Sequence, residues 1–257
     1  MNDLLNQIQK KKQLLDKLRP LSTLQIKNLK NVYDIQLTYN SNAIEGSTLT
    51  YSETKLILNE GITIGGKTIN EHLETINHQE AISFIESMAN IDTKEITLVD
   101  IKNIHHLILK GIDKKNAGTY RKQNVGVVKQ DGEIHNFVEP INIDEEMNDF
   151  IDWLHNQTTD EPILLATLVH LKFVSIHPFI DGNGRTARLL MNLILLQNGY
   201  PQAIIKISNR ATYIQAIENF QQSSSDEYME FYEVVLNSVN DSLDLYSNIV
   251  TNDIKII

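Results

Sequence analysis

The residues with the clearest capacity for chemistry lie together at positions 177–188. This segment reads HPFIDGNGRTAR and places an imidazole, a carboxylate, two glycines and two arginines within twelve residues. Gly182 and Gly184 leave backbone N–H groups open to close approach, where a helix is predicted to begin. Free N–H groups and the positive end of a helix dipole together bind anions. The segment, called the 177–188 loop below, therefore predicts a binding site for a polyanion such as a triphosphate.

Two arginines add positive charge to this loop. Arg185 and Arg188 are three residues apart and so share one face of the first helical turn. Each opposes the helix dipole at a cost of roughly 0.3–1 kcal/mol, an arrangement that makes sense if a polyanion is bound there. Asp181 beside them is well placed to hold Mg²⁺ against phosphate oxygens. Asn183 can donate a hydrogen bond to a phosphate oxygen without adding charge.

His177 provides a group that can move a proton. A histidine with its ordinary pKa of about 6.5 can accept a proton from an attacking hydroxyl near neutral pH. Phosphoryl and nucleotidyl transfer depend on positioning and charge neutralisation, and the 177–188 loop contains groups for both. Taken singly, each feature has a simpler interpretation, since a histidine at a helix end is usually structural and paired arginines usually face solvent. Their occurrence together in one loop favours a catalytic phosphate-binding site.

Two apolar helices are predicted to hold the loop at both ends. Residues 163–176 are apolar almost all round, as expected of a helix buried in a core. His177 precedes a proline, which disfavours helical geometry, so this helix should end there. Leucine and isoleucine side chains at residues 189–196 predict a second buried helix, which closes at Gly199. The loop is thus predicted to be a fixed turn between core elements.

The rest of the chain is predominantly helical in pattern. Thr50 and Glu53 form a capping box for a helix that should end at Gly61. A β-hairpin is predicted at residues 125–135 around Asp131-Gly132, a pair that favours tight turns. Further helices are predicted at residues 3–19, 23–45, 69–89, 97–110, 144–156, 162–176, 184–198, 209–221 and 226–247. The predicted fold class is all-α, with a short β-hairpin flap and a helical N-terminal lobe.

Composition restricts the compartment and the partners. The 257 residues contain no cysteine, which excludes disulfides and thiolate zinc sites. A net charge of −10 argues against a nucleic-acid partner, because phosphate backbones require a basic surface. The amino terminus has no basic stretch leading into an apolar run, and the most apolar segment is too short to span a bilayer. We expect a cytoplasmic protein that binds neither nucleic acid nor membrane.

Residues 177–188 match in full the signature HPFx(D/E)GNGRxxR, and the chain therefore resembles Fic-domain proteins. The segment GTYR at residues 118–121, ahead of the hairpin, and Tyr213 in a later helix are also similar to that family. The resemblance extends over roughly residues 30–240. It implies a Fic-type helical bundle, with an N-terminal lobe at residues 1–95, a Fic core at residues 96–240 and a C-terminal tail at residues 241–257.

The resemblance implies transfer of AMP from ATP to a Ser, Thr or Tyr hydroxyl of a target protein, with pyrophosphate leaving. ATP and Mg²⁺ are then the expected substrate and metal. The Doc-like branch, which acts as a kinase, has lysine where this chain has Gly184, and that difference favours AMP transfer. The resemblance implies that His177 is the general base and that Asp181 is the Mg²⁺ ligand. The nucleotide would bind to an anion hole formed by Gly182, Asn183 and Gly184, and to Arg185, Arg188 and Tyr213. The flap, Val125, Gly126, Val127 and Val128, would align the target by strand pairing.

A second motif resembles the inhibitory sequence (S/T)xxxE(G/N) of many Fic proteins. Ser41 and Glu45 are four residues apart and so lie on one helical face. Glu45 falls at the carboxyl end of its helix, where the dipole disfavours an anion, and Arg188 falls near the amino end of its helix, where the dipole disfavours a cation. A bidentate ion pair between Glu45 and Arg188 would offset both unfavourable dipole interactions and occupy the γ-phosphate position. We therefore expect Ser41 and Glu45 to inhibit the enzyme.

Other functions remain open on sequence alone. Glu45 could instead activate water to remove AMP from a modified target, which would make the chain a phosphodiesterase. The loop could also bind nucleotide without turnover, although an intact His177 and Asp181 argue against a pure binding module. Residues 61–68 fit the P-loop pattern GxxxxGK(S/T) but follow a predicted helix instead of the required strand. The amphipathic N-terminal helix could pair with a second copy to form a homodimer.

Overall fold

The computed structural model describes residues 1–128, 132–157, 161–222 and 227–251, which form helices and one hairpin. The α-helices are α1 Asn2–Lys17, α2 Thr23–Ile44, α3 Tyr51–Glu60, α4 Ile69–Ser87, α5 Leu98–Leu109, α6 Ile143–His155, α7 Pro162–Ile176, α8 Asn183–Gln197, α9 Arg210–Gln222 and α10 Met229–Thr251. Strands β1 Gly126–Val128 and β2 Ile134–Asn136 pair antiparallel, with Val127 opposite His135. The prediction of an all-α fold with a hairpin flap is confirmed. Asp131 of the predicted turn lies outside the described residues.

Helix starts are fixed by side chains that satisfy free backbone N–H groups of the first turn. At α2, α3, α4 and α5 a Ser or Thr before the helix accepts a hydrogen bond from the third helical residue, whose side chain accepts one in return. The pairs are Ser22–Gln25, Thr50–Glu53, Thr68–Glu71 and Thr97–Asp100. The predicted box at Thr50 is confirmed, as is the end of α3 at Gly61, which adopts φ 65°. Such caps contribute about 0.5–2 kcal/mol each.

Helices α7 and α8 pack against each other and form the centre of the core. Both predicted apolar helices are confirmed, at Pro162–Ile176 and Asn183–Gln197, and most of their residues are buried. Helices α4 and α5 pack on α8, while α6 and α10 pack on α7. Although α7 is strongly apolar, neither it nor any other helix in the described residues is long and apolar enough to cross a membrane. The 177–188 loop is thus anchored in the core at both ends.

The last helix ends a few residues later than the sequence predicts. The predicted helix ends at residue 247, and α10 continues to Thr251. Leu243, Tyr246 and Ile249 are buried on this helix, which packs against α1 and α2. The helix continues beyond residue 247 because apolar residues at helical spacing bury surface against the amino-terminal helices. The boundaries of the predicted lobes remain a prediction.

The segment at residues 61–68 is a turn between two helices. Gly61 ends α3, and Thr68 caps α4. Lys67 donates a hydrogen bond from Nζ to the Thr48 carbonyl at 2.6 Å. A P-loop requires a strand before it and a lysine that is free to reach phosphate. The interpretation of this segment as a helix stop followed by a turn is therefore confirmed.

Asn192 on α8 offers a test of how the core anchors the chain beyond the loop. Its Oδ1 accepts the Ala203 N–H at 2.7 Å, and its Nδ2 donates to the Ala203 carbonyl at 3.2 Å. We expect Asn192→Ala to lower the free energy of unfolding by about 2–4 kcal/mol, because two buried backbone groups lose their partners. Urea denaturation followed by circular dichroism measures the change. The control Asn103→Ala, at an exposed position of α5, should shift it by less than about 0.5 kcal/mol, and equal losses in the two variants would contradict this role.

Candidate active site

The 177–188 loop begins with an uncommon backbone conformation. Helix α7 ends at His177, which adopts φ 52° and ψ 56° in the left-handed region. It is the one non-glycine residue with positive φ among the described residues, and this conformation costs roughly 1–2 kcal/mol. Gly182 adopts φ 78° immediately before α8, where glycine is favoured. Two left-handed residues therefore turn the chain from α7 into α8, and the predicted helix end at His177 is confirmed.

The side chains of Asn183 and His105 hold the shape of this loop. Asn183 accepts the Phe179 N–H at 3.0 Å and donates to the Phe179 carbonyl at 2.9 Å. The buried ring of Phe179 stacks on His105 with centroids 3.6 Å apart. His105 donates from Nε2 to the Asp181 carbonyl at 2.8 Å and accepts the Gly118 N–H at 2.9 Å on Nδ1. Burial lowers the pKa of His105 to about 4, so the neutral ring links two loops.

The guanidinium of Arg188 is buried among four partner atoms. Its Nε donates to the Ser41 hydroxyl at 3.0 Å, and Nη1 donates to the Tyr213 hydroxyl at 3.0 Å. Nη2 donates to the Ser41 carbonyl at 2.9 Å and to Glu45 Oε1 at 2.7 Å. The expected bidentate pair with Glu45 is wrong, because Ser41 and Tyr213 take the donors that a second carboxylate oxygen would need. Tyr213 in turn lies 2.9 Å from His170 Nε2.

The carboxylate of Glu45 lies over the first turn of α8. A methyl group placed on Gly184 would overlap Glu45 Oε1 and come within 3.2 Å of Arg188 Nη1. Glu45 follows the last residue of α2 and keeps 37% of its side chain exposed. Its negative charge therefore stands at the positive end of α8, in the space where the sequence predicts a phosphate group.

Arg185 is also buried and is paired with an acid that the sequence motifs do not indicate. Its Nη1 lies 3.0 Å from Glu74 Oε1, and its Nη2 lies 3.5 Å from Asp181 Oδ2. Glu74 belongs to α4 and is 111 positions from Arg185 along the chain. The side chain of Arg185 is 3% exposed and that of Asp181 is 67% exposed. The structure thus places one carboxylate of the N-terminal part against each of the two arginines.

The imidazole of His177 is shielded from solvent by the flap side of the structure. The Phe137 ring stacks on it with centroids 3.9 Å apart and planes inclined by 13°. Arg121 Nε donates to the His177 carbonyl at 2.8 Å. Burial lowers the pKa of His177 to about 4, and the charge of Arg121 acts in the same direction. The ring is therefore neutral at pH 7 and can accept a proton.

Asp181 is the residue that could hold a metal ion in this loop. Its Oδ1 accepts the Gly182 N–H at 2.6 Å, and its exposed carboxylate keeps lone pairs directed to solvent. Within the described residues there is no cluster of three or more His, Cys, Asp or Glu side chains suited to a metal. Mg²⁺ commonly binds through one carboxylate together with phosphate oxygens and waters. The residues present fit such a site and do not form a metal cage by themselves.

The flap exposes the strand that the sequence assigns to target alignment. Val127 is 39% exposed and Val128 is 73% exposed on β1. In the described residues β1 pairs with β2 and with no other strand. Its other edge is therefore not covered by a strand in that part of the chain, as strand addition requires.

Some residues of the site could not be found from the sequence. Glu74 and Phe137 belong to no motif, and their contacts depend on distant parts of the chain. The position of His170 in an otherwise apolar helix indicates a buried hydrogen-bond partner but does not identify it. That partner is the Tyr213 hydroxyl. Burial and the charge of Arg188 hold the pKa of His170 well below its usual range, so the ring is neutral.

Comparisons with known proteins give a consistent family assignment. The profile described as the Fic/DOC family matches residues 95–195. The protein adenylyltransferase Fic of Nematostella vectensis is 36% identical over 247 residues, which span 95% of this chain and 56% of that relative. A Fic-domain-containing signaling protein from Bacteroides thetaiotaomicron has a TM-score of 0.88 and 26% identity, with 98% and 99% of the two chains covered. The structure of residues 134–508 of Fic-1 from Caenorhabditis elegans has a TM-score of 0.83 and 30% identity. The match covers 98% of this chain and 74% of that structure. The chain spans only 35–56% of the length of the first curated relatives.

The buried histidines predict how stability depends on pH. Burial lowers the pKa of His78 to about 3 and those of His105 and His177 to about 4. Between pH 6.5 and 4 the unfolded chain binds protons that the native state does not, so stability is present above pH 6.5 and is lost as pH falls through this window. We expect the free energy of unfolding to be lower at pH 5 than at pH 7 by roughly 1–2 kcal/mol per histidine.

Urea denaturation at the two pH values measures this difference. The variant His105→Asn removes one of the titrating groups and should make the pH dependence shallower than in the wild type. Equal urea midpoints at pH 5 and pH 7 in the wild type would show that these rings do not remain neutral in the native state.

Proposed function

This chain belongs to the Fic/DOC family, and we propose that it transfers AMP from ATP to a hydroxyl group of a target protein. The observation that carries the proposal is the convergence of a neutral imidazole, two buried arginines and the amino terminus of α8 in one loop. In the reaction the acceptor oxygen forms a bond to the α-phosphorus of ATP, and the bond from that phosphorus to pyrophosphate breaks. The hydroxyl proton goes to His177.

His177 is suited to this step because its imidazole is neutral and lies in the same loop as the proposed phosphate site. A base with a pKa of about 4 is weak in the free protein, but an imidazolium is stabilised by nearby negative charge. Binding of a triphosphate at the start of α8 therefore raises the basicity of the ring when the substrate is present. The ring is then matched more closely to the hydroxyl that it deprotonates.

The phosphates of ATP are proposed to bind across the first turn of α8. The backbone N–H groups of Asn183 and Gly184 lie at the start of α8, with Arg185 and Arg188 beside them. The Gly182 N–H donates to Asp181 Oδ1 and would join them when that carboxylate turns to a metal ion. The Asn183 side chain is already used to hold Phe179, so its contribution to the anion site is through the backbone. Mg²⁺ held by Asp181 and the phosphates would neutralise charge on the triphosphate.

Glu45 is proposed to restrain the enzyme. Its carboxylate accepts Arg188 Nη2 at 2.7 Å and covers Gly184, so a γ-phosphate cannot approach both groups while Glu45 is in place. Suppressing the rate about 100-fold requires about 2.7 kcal/mol. Glu45 keeps 37% exposure, so screening makes the ion pair weaker than a fully buried one. The rest of the restraint then comes from the space that the carboxylate occupies.

The reverse reaction is a second candidate because of the same carboxylate. Glu45 is partly exposed and stands next to the proposed position of the phosphates, where it could activate water against an AMP-modified target. The target of either reaction is proposed to pair with the free edge of β1 in the flap, where Val127 and Val128 are exposed.

Labelled ATP tests the proposed function directly. With the Glu45→Gly protein and Mg²⁺, we expect label to enter protein from ATP labelled at the α-phosphate and not from ATP labelled at the γ-phosphate. Adding His177→Ala should reduce this labelling at least about 100-fold, because the proton has no acceptor. Gel autoradiography provides the measurement, with labelling of the protein itself as the first target. Label from the γ-position would indicate a kinase, and ATP binding without any label would indicate a binding module.

Replacing Glu45 tests the restraint and the reverse reaction. We expect Glu45→Gly to increase the initial rate of AMP incorporation roughly 10- to 100-fold over wild type, and Glu45→Gln to give a smaller increase because the amide still fills the space. The control Glu60→Gln changes an exposed carboxylate at the end of α3 and should leave the rate unchanged. A rate in Glu45→Gly equal to that of the wild type would contradict the proposed inhibition by Glu45. Loss of label from a pre-modified target that requires Glu45 would favour the phosphodiesterase.

A further inference from the structure

The aromatic ring of Phe137 makes the closest ring contact with the proposed base that the described residues contain. Its centroid lies 3.9 Å from that of His177, and the planes are inclined by 13°. Phe137 immediately follows β2, and its N–H donates to the Val125 carbonyl at 3.2 Å. This hydrogen bond extends the pairing of the hairpin by one step beyond the strands. The residue that covers the imidazole is therefore part of the flap.

Arg121 joins the same two parts of the structure through the backbone. Its side chain is buried and donates to the carbonyls of His177, at 2.8 Å, and Gln123, at 2.9 Å, and to that of Val138. Its own N–H donates to the Pro178 carbonyl at 3.0 Å. One guanidinium thus connects the start of the 177–188 loop with the segments on either side of the flap.

The contacts with Phe137 and Arg121 stabilise the unfavourable backbone conformation and the ring orientation of His177. His177 has a left-handed backbone, which a β-carbon disfavours. Arg121 fixes the carbonyl of this residue, but a fixed backbone still leaves the ring free to rotate about χ1 and χ2. Parallel stacking with Phe137 restricts that rotation, because a ring turned away would lose its contact area and expose the Phe137 face.

We propose that Phe137 is a positioning residue, which stacks on His177 and sets the direction of its imidazole according to the position of the flap. This inference rests on the proposed function, since it assigns the imidazole as the base for the target hydroxyl. The flap that receives the target then also orients the group that deprotonates it. The ring of Phe137 stacks on His177, whereas the hydrogen bonds of Arg188 go to Ser41, Glu45 and Tyr213. We therefore expect the loss of Phe137 to affect the proton transfer and to leave nucleotide binding intact.

The test compares Phe137→Leu with Phe137→Tyr in the Glu45→Gly protein. Leucine keeps an apolar side chain but cannot stack, whereas tyrosine keeps the stack and can direct its hydroxyl to solvent, since Phe137 is only half-buried. The control is Phe84→Leu, which removes a ring that packs against the core from α4. Three quantities are measured: kcat for AMP incorporation, the Kd for ATP by calorimetry, and the proton and carbon shifts of the His177 ring by NMR, assigned with His177→Gln.

We expect Phe137→Leu to lower kcat about 10- to 100-fold, as small misplacements of a catalytic group do, with the Kd for ATP changed less than about twofold. The His177 ring signals should lose the upfield shift that a stacked ring causes, and Phe137→Tyr should restore both kcat and the shift. Phe84→Leu should leave the His177 signals unchanged.

Other results overturn the inference. An unchanged kcat in Phe137→Leu would do so, as would unchanged His177 signals or an equal loss in Phe84→Leu. The NMR shifts are read without substrate, so they report on the stack even if no variant transfers AMP. Absence of transfer in the Glu45→Gly protein itself, with the shift changes as expected, would count against the proposed function and leave the stack established.

Discussion

The buried guanidinium of Arg188 is the constraint on which the rest of the site depends. A charge removed from water must be satisfied by hydrogen bonds and an opposite charge, or the folded state loses several kcal/mol. Here the donors meet Ser41, Glu45 and Tyr213, which belong to α2, the residue after it, and α9. A single side chain on α8 therefore fixes the position of two other elements. Since a phosphate offers the same kind of acceptor, any anion that enters the site must compete for these donors.

Burial, with the two arginines acting in the same direction, keeps His78 and His170 neutral. Burial lowers the pKa of His78, and the charges of Arg188 and Arg185 lower it further. His170 experiences burial and Arg188 in the same way. Because an arginine can only donate, Tyr213 accepts a hydrogen bond from Arg188, and its hydroxyl can in turn donate one to Nε2 of the neutral His170 ring. The site thus concentrates positive charge in two guanidinium groups and keeps the imidazoles available for proton transfer or for hydrogen bonding.

The sequence predicts the elements of this site better than it predicts their contacts. The two apolar helices, the helix end at His177 and the helix stop at Gly61 follow from local rules of period and backbone geometry, and all three are confirmed. The left-handed backbone of His177 is a finding of the structure, because the proline that follows predicts only that the helix ends. The bidentate pair between Glu45 and Arg188 is wrong, because local reasoning counts charges and does not see that Ser41 and Tyr213 already fill the guanidinium. Glu74 and Phe137 have no periodic or motif signal, since each acquires its role only when distant segments meet.

The proposed restraint and the proposed activity use the same arrangement, and the hydrogen bonds of Arg188 explain how. Glu45 sits unfavourably at the carboxyl end of α2 and favourably at the amino end of α8, so the two dipoles largely offset each other. Its departure removes one hydrogen bond from Arg188, whereas the two bonds to Ser41 and the one to Tyr213 do not involve it. The guanidinium therefore keeps its position when the carboxylate leaves. A phosphate that replaces Glu45 meets an arginine that is already oriented, and the cost of ordering that side chain does not recur on binding.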